Sequence, residues 1–224
     1  MDGLRKLPCV MEEAFVGEVF RTDAKCEPGR VVLGGWLTLG GKKPTEAPWF
    51  SVAIGPAEAP WLFKGEDLQS SWASTSAELL SSLLALKVFK IDQLCGARRS
   101  THVLRCGAGT DNKATSQLVQ RRLSTKWPLM ILLMDYLSFC EASGIHCKLD
   151  WRPRDSNIEA DQLTNEIFSA FDLNKRVEVD WNAIELPMVS LLMKFSESFS
   201  KRKVQVQHTK DDVIGAKFQK SVWG

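Results

Sequence analysis

The hydrophobic period of the chain changes near residue 74, and that change limits the fold more than any other feature. Before it, short β-rich runs alternate with turn residues. "VGEVFRTDAK" reads as a strand from Val16 that ends in a polar tip at Asp23. "EPGR" supplies a turn at Pro28-Gly29, and "VVLGGWLTL" reads as the returning strand. After the loop "GGKKPTEAP", "WFSVAIG" reads as a third strand closed by Gly55-Pro56. Beyond the change, "STSAELLSSLLALKVFKI" spaces Leu79, Leu80, Leu83, Leu84 and Val88 along one helical face, with Ser74 or Ser76 as its cap.

Strands and helices then alternate. "THVLRCG", residues 101–107, reads as a fourth strand, and "TDNKATSQLVQRRL" as a helix opening at Asp111 or just before it. "WPLMILLMDYLSFCEASG" reads as a helix started by Pro128 and ended by Gly144. "IHCKLDW" is a fifth strand, and "NIEADQLTNEIFSAF" is a further helix. The order β-β-β-α-β-α-α-β-α predicts an α/β fold: a mixed five-stranded sheet with helices on both faces. Past about residue 172 the pattern weakens, although "IELPMVSLLMKFSESF" has amphipathic spacing. The stretch from Lys194 to Lys220 carries seven Lys/Arg against three Asp/Glu.

Composition narrows the function classes. With 44% hydrophobic and 25% charged residues, the 224-residue chain has the make-up of a folded soluble domain. A net charge of +2 neither requires nor excludes a polyanionic partner, so any basic surface must be local. The six cysteines form no C-x-x-C, which argues against zinc and for free thiols in a reducing, intracellular setting. The first residues, "MDGLRKLPCVMEEAF", place acids where a secretory signal needs an apolar core. The longest apolar run, "WPLMILLMDYL", is about half the length of a membrane-spanning helix, so no membrane partner is expected.

Four acids fall at the ends of these elements. Asp23 ends the first strand, Glu78 opens the first long helix, Asp111 follows the fourth strand, and Asp161 sits in the helix after the fifth. In an open α/β sheet such termini converge on one crevice. Carboxylates gathered there repel one another, and Mg²⁺ or Mn²⁺ relieves that repulsion. Two ions about 3.5–4 Å apart suit an in-line phosphoryl displacement. Each acid alone also has an ordinary reading. Asp23 suits a turn, Glu78 a first helical turn, Asp111 or Asn112 an N-cap, and Asp161 a helix surface.

Taken together, "RTDAK", "LGGWL", "TSAELLSSLLALKVF", "GTDNKAT" and "WRPRDSNIEADQLTN" resemble the type 1 ribonuclease H domain of reverse-transcribing mobile elements. The resemblance covers roughly residues 16–171. It leaves an N-terminal arm over 1–15 and a helical, basic extension over 172–224. It implies the ribonuclease H-like mixed sheet, and Asp23, Glu78, Asp111 and Asp161 as catalytic metal ligands for two Mg²⁺ or Mn²⁺ ions. It also implies hydrolysis of the RNA strand of an RNA–DNA hybrid, with a reverse transcriptase domain as a further partner, in the nucleus or the cytoplasm. Asn112, Arg152, Arg154 and Asn157 would then meet the nucleic acid, although Asn157 suits an N-cap equally well.

The chain departs from the family pattern in three places. Trp151 stands ten residues before Asp161, where the family usually has a histidine, and none of His102, His146 and His208 falls there. The span from Asp23 to Glu78 is long, with the surplus in "GPAEAPWLFKGEDLQSSW". The basic helix-loop handle of some cellular members is missing, with Lys113, Arg121, Arg122 and Lys126 as a smaller substitute. These departures keep a second reading open: an inert fold that binds nucleic acid or protein without cleaving. A proofreading exonuclease would want Asp-x-Glu where the chain has Asp23-Ala24-Lys25, and an integrase core would end on Glu where the chain has Asp161.

Overall fold

A computed structural model of the chain describes residues 15–94 and 103–195. The expected arm lies outside these residues except for Phe15, as do Cys9, Cys95, His102, His208 and most of the basic stretch from Lys194 to Lys220. The chain divides into two compact units, one ending at Glu185 and the other starting at Leu186. In the second unit the described residues 187–195 are helical, within the expected amphipathic segment.

The first unit is built on five strands: β1 (Phe15–Glu27), β2 (Arg30–Leu37), β3 (Trp49–Ile54), β4 (Leu104–Thr110) and β5 (Ile145–Trp151). They lie in the order β3-β2-β1-β4-β5. The first three are antiparallel neighbours, and β4 and β5 join in parallel. This is the mixed, ribonuclease H-like sheet that the resemblance implies. Among the described residues five α-helices complete the unit: α1 (Ser74–Val88), α2 (Ile91–Leu94), α3 (Lys113–Arg121), α4 (Leu129–Ala142) and α5 (Ile158–Thr164).

Successive residues of β1 show how the layers are arranged. Thr22 shares a hydrogen bond of 3.1 Å with Ser82 of α1, and Asp23 accepts one from Thr164 of α5. Neighbouring strand residues point to opposite faces, so α1 and α5 cover opposite sides of the sheet. Leu79, Leu80, Leu83, Leu84 and Leu86 of α1 are fully buried.

Several boundaries differ from the sequence reading. β1 does not stop at Asp23 but stays paired with β2 as far as Glu27, where Gly29 takes a positive φ and turns the chain. β4 lies three residues later than "THVLRCG". Its "GAGT" looks like turn sequence, yet a Cβ on Gly109 would come within 3.0 Å of Arg21 Cγ and 3.1 Å of Arg152 Cδ. The glycine there serves side-chain crowding over the strand. No serine caps α1; Ala73 holds the N-cap position without a side-chain bond.

α5 is shorter than expected because its continuation leaves the helix to pack its aromatics. Phe168 and Phe171 stack on Trp49 with ring centroids 4.9 and 5.4 Å away. The chain then runs along the outer edge of β3. Trp49 Nε1 donates to Asp172 O, Val177 N donates to Trp49 O, and an Arg176 guanidinium N–H donates to Ser51 O. Backbone groups that an edge strand would leave open are thereby satisfied.

Candidate active site

The parallel register of β1 and β4 brings the acids together. Their last paired residues are Arg21 and Gly109. Asp23 and Asp111 each lie two residues beyond that pair and so stand at the same level, Asp23 still inside β1 and Asp111 just past the end of β4. Past this point β1 continues with β2 and β4 with β5, which opens a crevice between them. Glu78, in the second turn of α1, enters the crevice from one face. One carboxylate oxygen from each of Asp23, Glu78 and Asp111 lies within 4.8 Å of the others.

The site is desolvated. Asp23 and Glu78 are each 5% exposed. Burial is the chief reason that the Glu78 carboxyl titrates well above the usual carboxylate range, and repulsion from Asp23 and Asp111 adds to it. Asp23 is raised as well, again mainly by burial, with the Thr164 hydrogen bond pulling in the opposite direction. Thr110 organises the floor. Its hydroxyl accepts from Asn112 N at 3.2 Å and donates to Glu78 Oε2 at 3.3 Å.

Asp161 stands apart from this trio. Its Oδ2 accepts from Asn165 Nδ2 at 3.0 Å, and its charge acts on Asp23 from outside the cluster. Of the four expected acids, three share one pocket and the fourth borders it.

The other expected residues have visible partners. Asn112 caps α3, accepting from Thr115 N at 3.1 Å. Asn157 is buried; its Nδ2 donates to Thr22 O at 3.1 Å, and its Oδ1 has no hydrogen-bond partner among the described residues. Arg152 forms an ion pair with Glu18. Arg154 is 76% exposed and sets its Nε 3.2 Å from Asp111 Oδ2. Trp151 donates from Nε1 to Asp111 O at 3.0 Å and so anchors the acid-bearing loop.

Sequence reasoning missed Thr110 and Thr164. Thr164 follows Asp161 by three residues, the spacing of one helical face, which was a usable signal. It also missed a groove of about 580 Å³ beside the start of α1, lined by Lys64, Trp72, Thr75, Lys126 and Trp127 among others. The surplus loop after β3 supplies one wall. Lys64 Nζ sits 3.6 Å from the centre of the Trp72 ring, a cation–π contact that holds both side chains. Nothing periodic in the sequence marks this wall.

No family profile matches the chain, and no curated protein matches it. Solved structures do. Ribonuclease H1 from the halophilic archaeon Halobacterium salinarum is 18% identical, with a TM-score of 0.42 over 69% of this chain and 97% of that one. LC11 ribonuclease H1, solved in complex with an RNA/DNA hybrid, is 18% identical, with a TM-score of 0.44 over 66% of this chain and 94% of its own. The prototype foamy virus protease–reverse transcriptase is 11% identical, with a TM-score of 0.39 over 77% of this chain and 23% of its own. Among the described residues no helix is long and apolar enough to cross a membrane.

Proposed function

We propose that the chain is a divalent-cation-dependent endonuclease that hydrolyses the RNA strand of RNA–DNA hybrids inside the cell. We place its origin in a retrotransposon polyprotein, with a reverse transcriptase domain as its partner. The observation that carries the proposal is the trio Asp23, Glu78 and Asp111, with oxygens within 4.8 Å and two of the acids buried. The donor set fits Mg²⁺ or Mn²⁺: it is all oxygen, anionic and desolvated, and among the described residues its one close cationic partner is the exposed Arg154. Asp23, Glu78 and Asp111 would hold two such ions, with Asp161 at the border. The chemistry the ions supply is activation of a water and stabilisation of the leaving oxygen.

The protein's own residues account for the rest. Thr110 orients Glu78, and Trp151 fixes the Asp111 loop. The lysine- and tryptophan-lined groove suits a nucleic-acid strand, its cations meeting phosphates and its rings offering a stacking surface. Discrimination for RNA would come from 2′-hydroxyl contacts.

Labelled hybrid incubated with the protein and Mg²⁺ should be cut in the RNA strand. Asp111→Asn should lower the rate by at least a hundredfold while the protein stays folded. Intact hybrid with both proteins would overturn the proposal. One observation favours the inert-module reading: the Arg154–Asp111 ion pair neutralises one of the three acids. On that reading the hybrid is bound, and neither protein cuts it.

A further inference from the structure

One row of residues runs across three strands beneath α5. Asp23 on β1 pairs with Gly34 on β2, and Gly34 pairs with Ser51 on β3. Each of the three meets the last turn of α5. Asp23 Oδ2 accepts from Thr164 Oγ1 at 2.5 Å. Gly34 gives the helix room: a Cβ there would lie 2.9 Å from Leu163 Cβ and 3.1 Å from Thr164 Cγ2. Ser51 Oγ donates to Leu163 O at 2.8 Å.

We infer that Thr164 is a positioning residue: its buried hydroxyl, brought down onto the sheet by this row, fixes the carboxylate of Asp23 in the orientation that a divalent cation requires. The inference rests on the metal-site reading above.

Two features single out the hydroxyl. It has one proton and two acceptors, Asp23 Oδ2 at 2.5 Å and Asp161 O at 3.0 Å. The shorter contact, to a carboxylate, is the stronger and takes the proton. Thr164 is also 2% exposed, so water cannot replace the bond if the hydroxyl is removed. Hydrogen-bond donors behind ligating carboxylates orient them, and losing one typically costs about 10–100-fold in metal affinity. Ser51 ties down the same turn without touching Asp23, which makes it an internal control.

The test is calorimetric titration of the full chain with Mn²⁺, paired with the rise in Tm at saturating Mn²⁺. Thr164→Val keeps the side-chain shape and loses the hydroxyl. It should weaken Mn²⁺ binding at least tenfold, and Thr164→Ser should restore binding to within about threefold of the parent. Ser51→Ala should bind Mn²⁺ as the parent does. If Thr164→Val does not fold, Thr164→Ser against Thr164→Ala carries the same comparison.

Equal affinity with and without the hydroxyl would overturn the inference while leaving the metal site in place. Equal losses in Thr164→Val and Ser51→Ala would also overturn it, since the effect would then come from docking of the helix. A parent chain that takes no Mn²⁺ would remove the metal-site reading, and the inference with it.

Discussion

At the scale of single residues the site is costly to the fold. Glu78 and Asp23 are acids that burial, and then repulsion from neighbouring carboxylates, make hard to ionise. An acid whose folded pKa lies above its unfolded one binds more protons when folded. Without metal, stability therefore falls as pH rises above the ordinary carboxylate range towards the folded pKa. Glu78→Gln removes the charge and keeps an oxygen for Thr110. In EDTA at pH 7.5 it should melt above the parent, by roughly 2–4 °C for each kcal/mol relieved. The difference should shrink towards pH 4, where Glu78 is protonated in the folded state and mostly protonated in the unfolded one. Thermal unfolding at the two pH values checks this, and a variant that melts lower at pH 7.5 would contradict it. The acids were legible in the sequence because each sits inside a short motif of the resemblance, although Asp23 lies within β1 and not at its end. Asp161 fitted that pattern equally well, yet its carboxylate is not one of the three gathered in the pocket and accepts from Asn165 instead. Motif order places a residue near a site, while the orientation of its side chain is decided by neighbours the motif does not contain.

At the scale of elements, close approach of backbone to backbone decides the geometry. α5 can lie on β2 only because residue 34 has no side chain. Gly34→Ala should push the last turn of α5 away from the sheet, since Leu163 Cβ sits next to its own backbone and cannot swing aside. The expected loss is about 1–3 kcal/mol, the usual cost of overpacking. Chemical denaturation measures it, and an unchanged midpoint would contradict the account. Alternation and helical spacing located every strand and long helix of the sheet unit. They misplaced ends wherever tertiary contacts overrode local preference. "GAGT" is strand because β5 pairs with all of it and β1 with most of it, with Gly109 leaving room for Arg21 and Arg152, and α5 ends early because Phe168 and Phe171 are drawn to Trp49. For the cap of α3 the sequence left Asp111 and Asn112 open, and Asn112 holds the position, with the helix starting at Lys113.

At the scale of the whole molecule, the sheet unit combines three devices. Parallel register sets Asp23 and Asp111 level, α1 brings Glu78 into the gap, and α5 closes over the opposite face. A segment after α5 covers the edge of β3, and the surplus loop after β3 walls a cationic, aromatic groove. The surplus loop was visible in the sequence, but the role of neither addition was, because an irregular loop takes its role from what it packs against. The central claim is that Asp23, Glu78 and Asp111 were gathered to hold divalent cations. Crystals grown with Mn²⁺ and measured for anomalous scattering test it most directly. The account predicts an anomalous peak among the three carboxylates, with Arg154 displaced from Asp111. A well-ordered structure with no peak there, and with Arg154 still paired to Asp111, would contradict it.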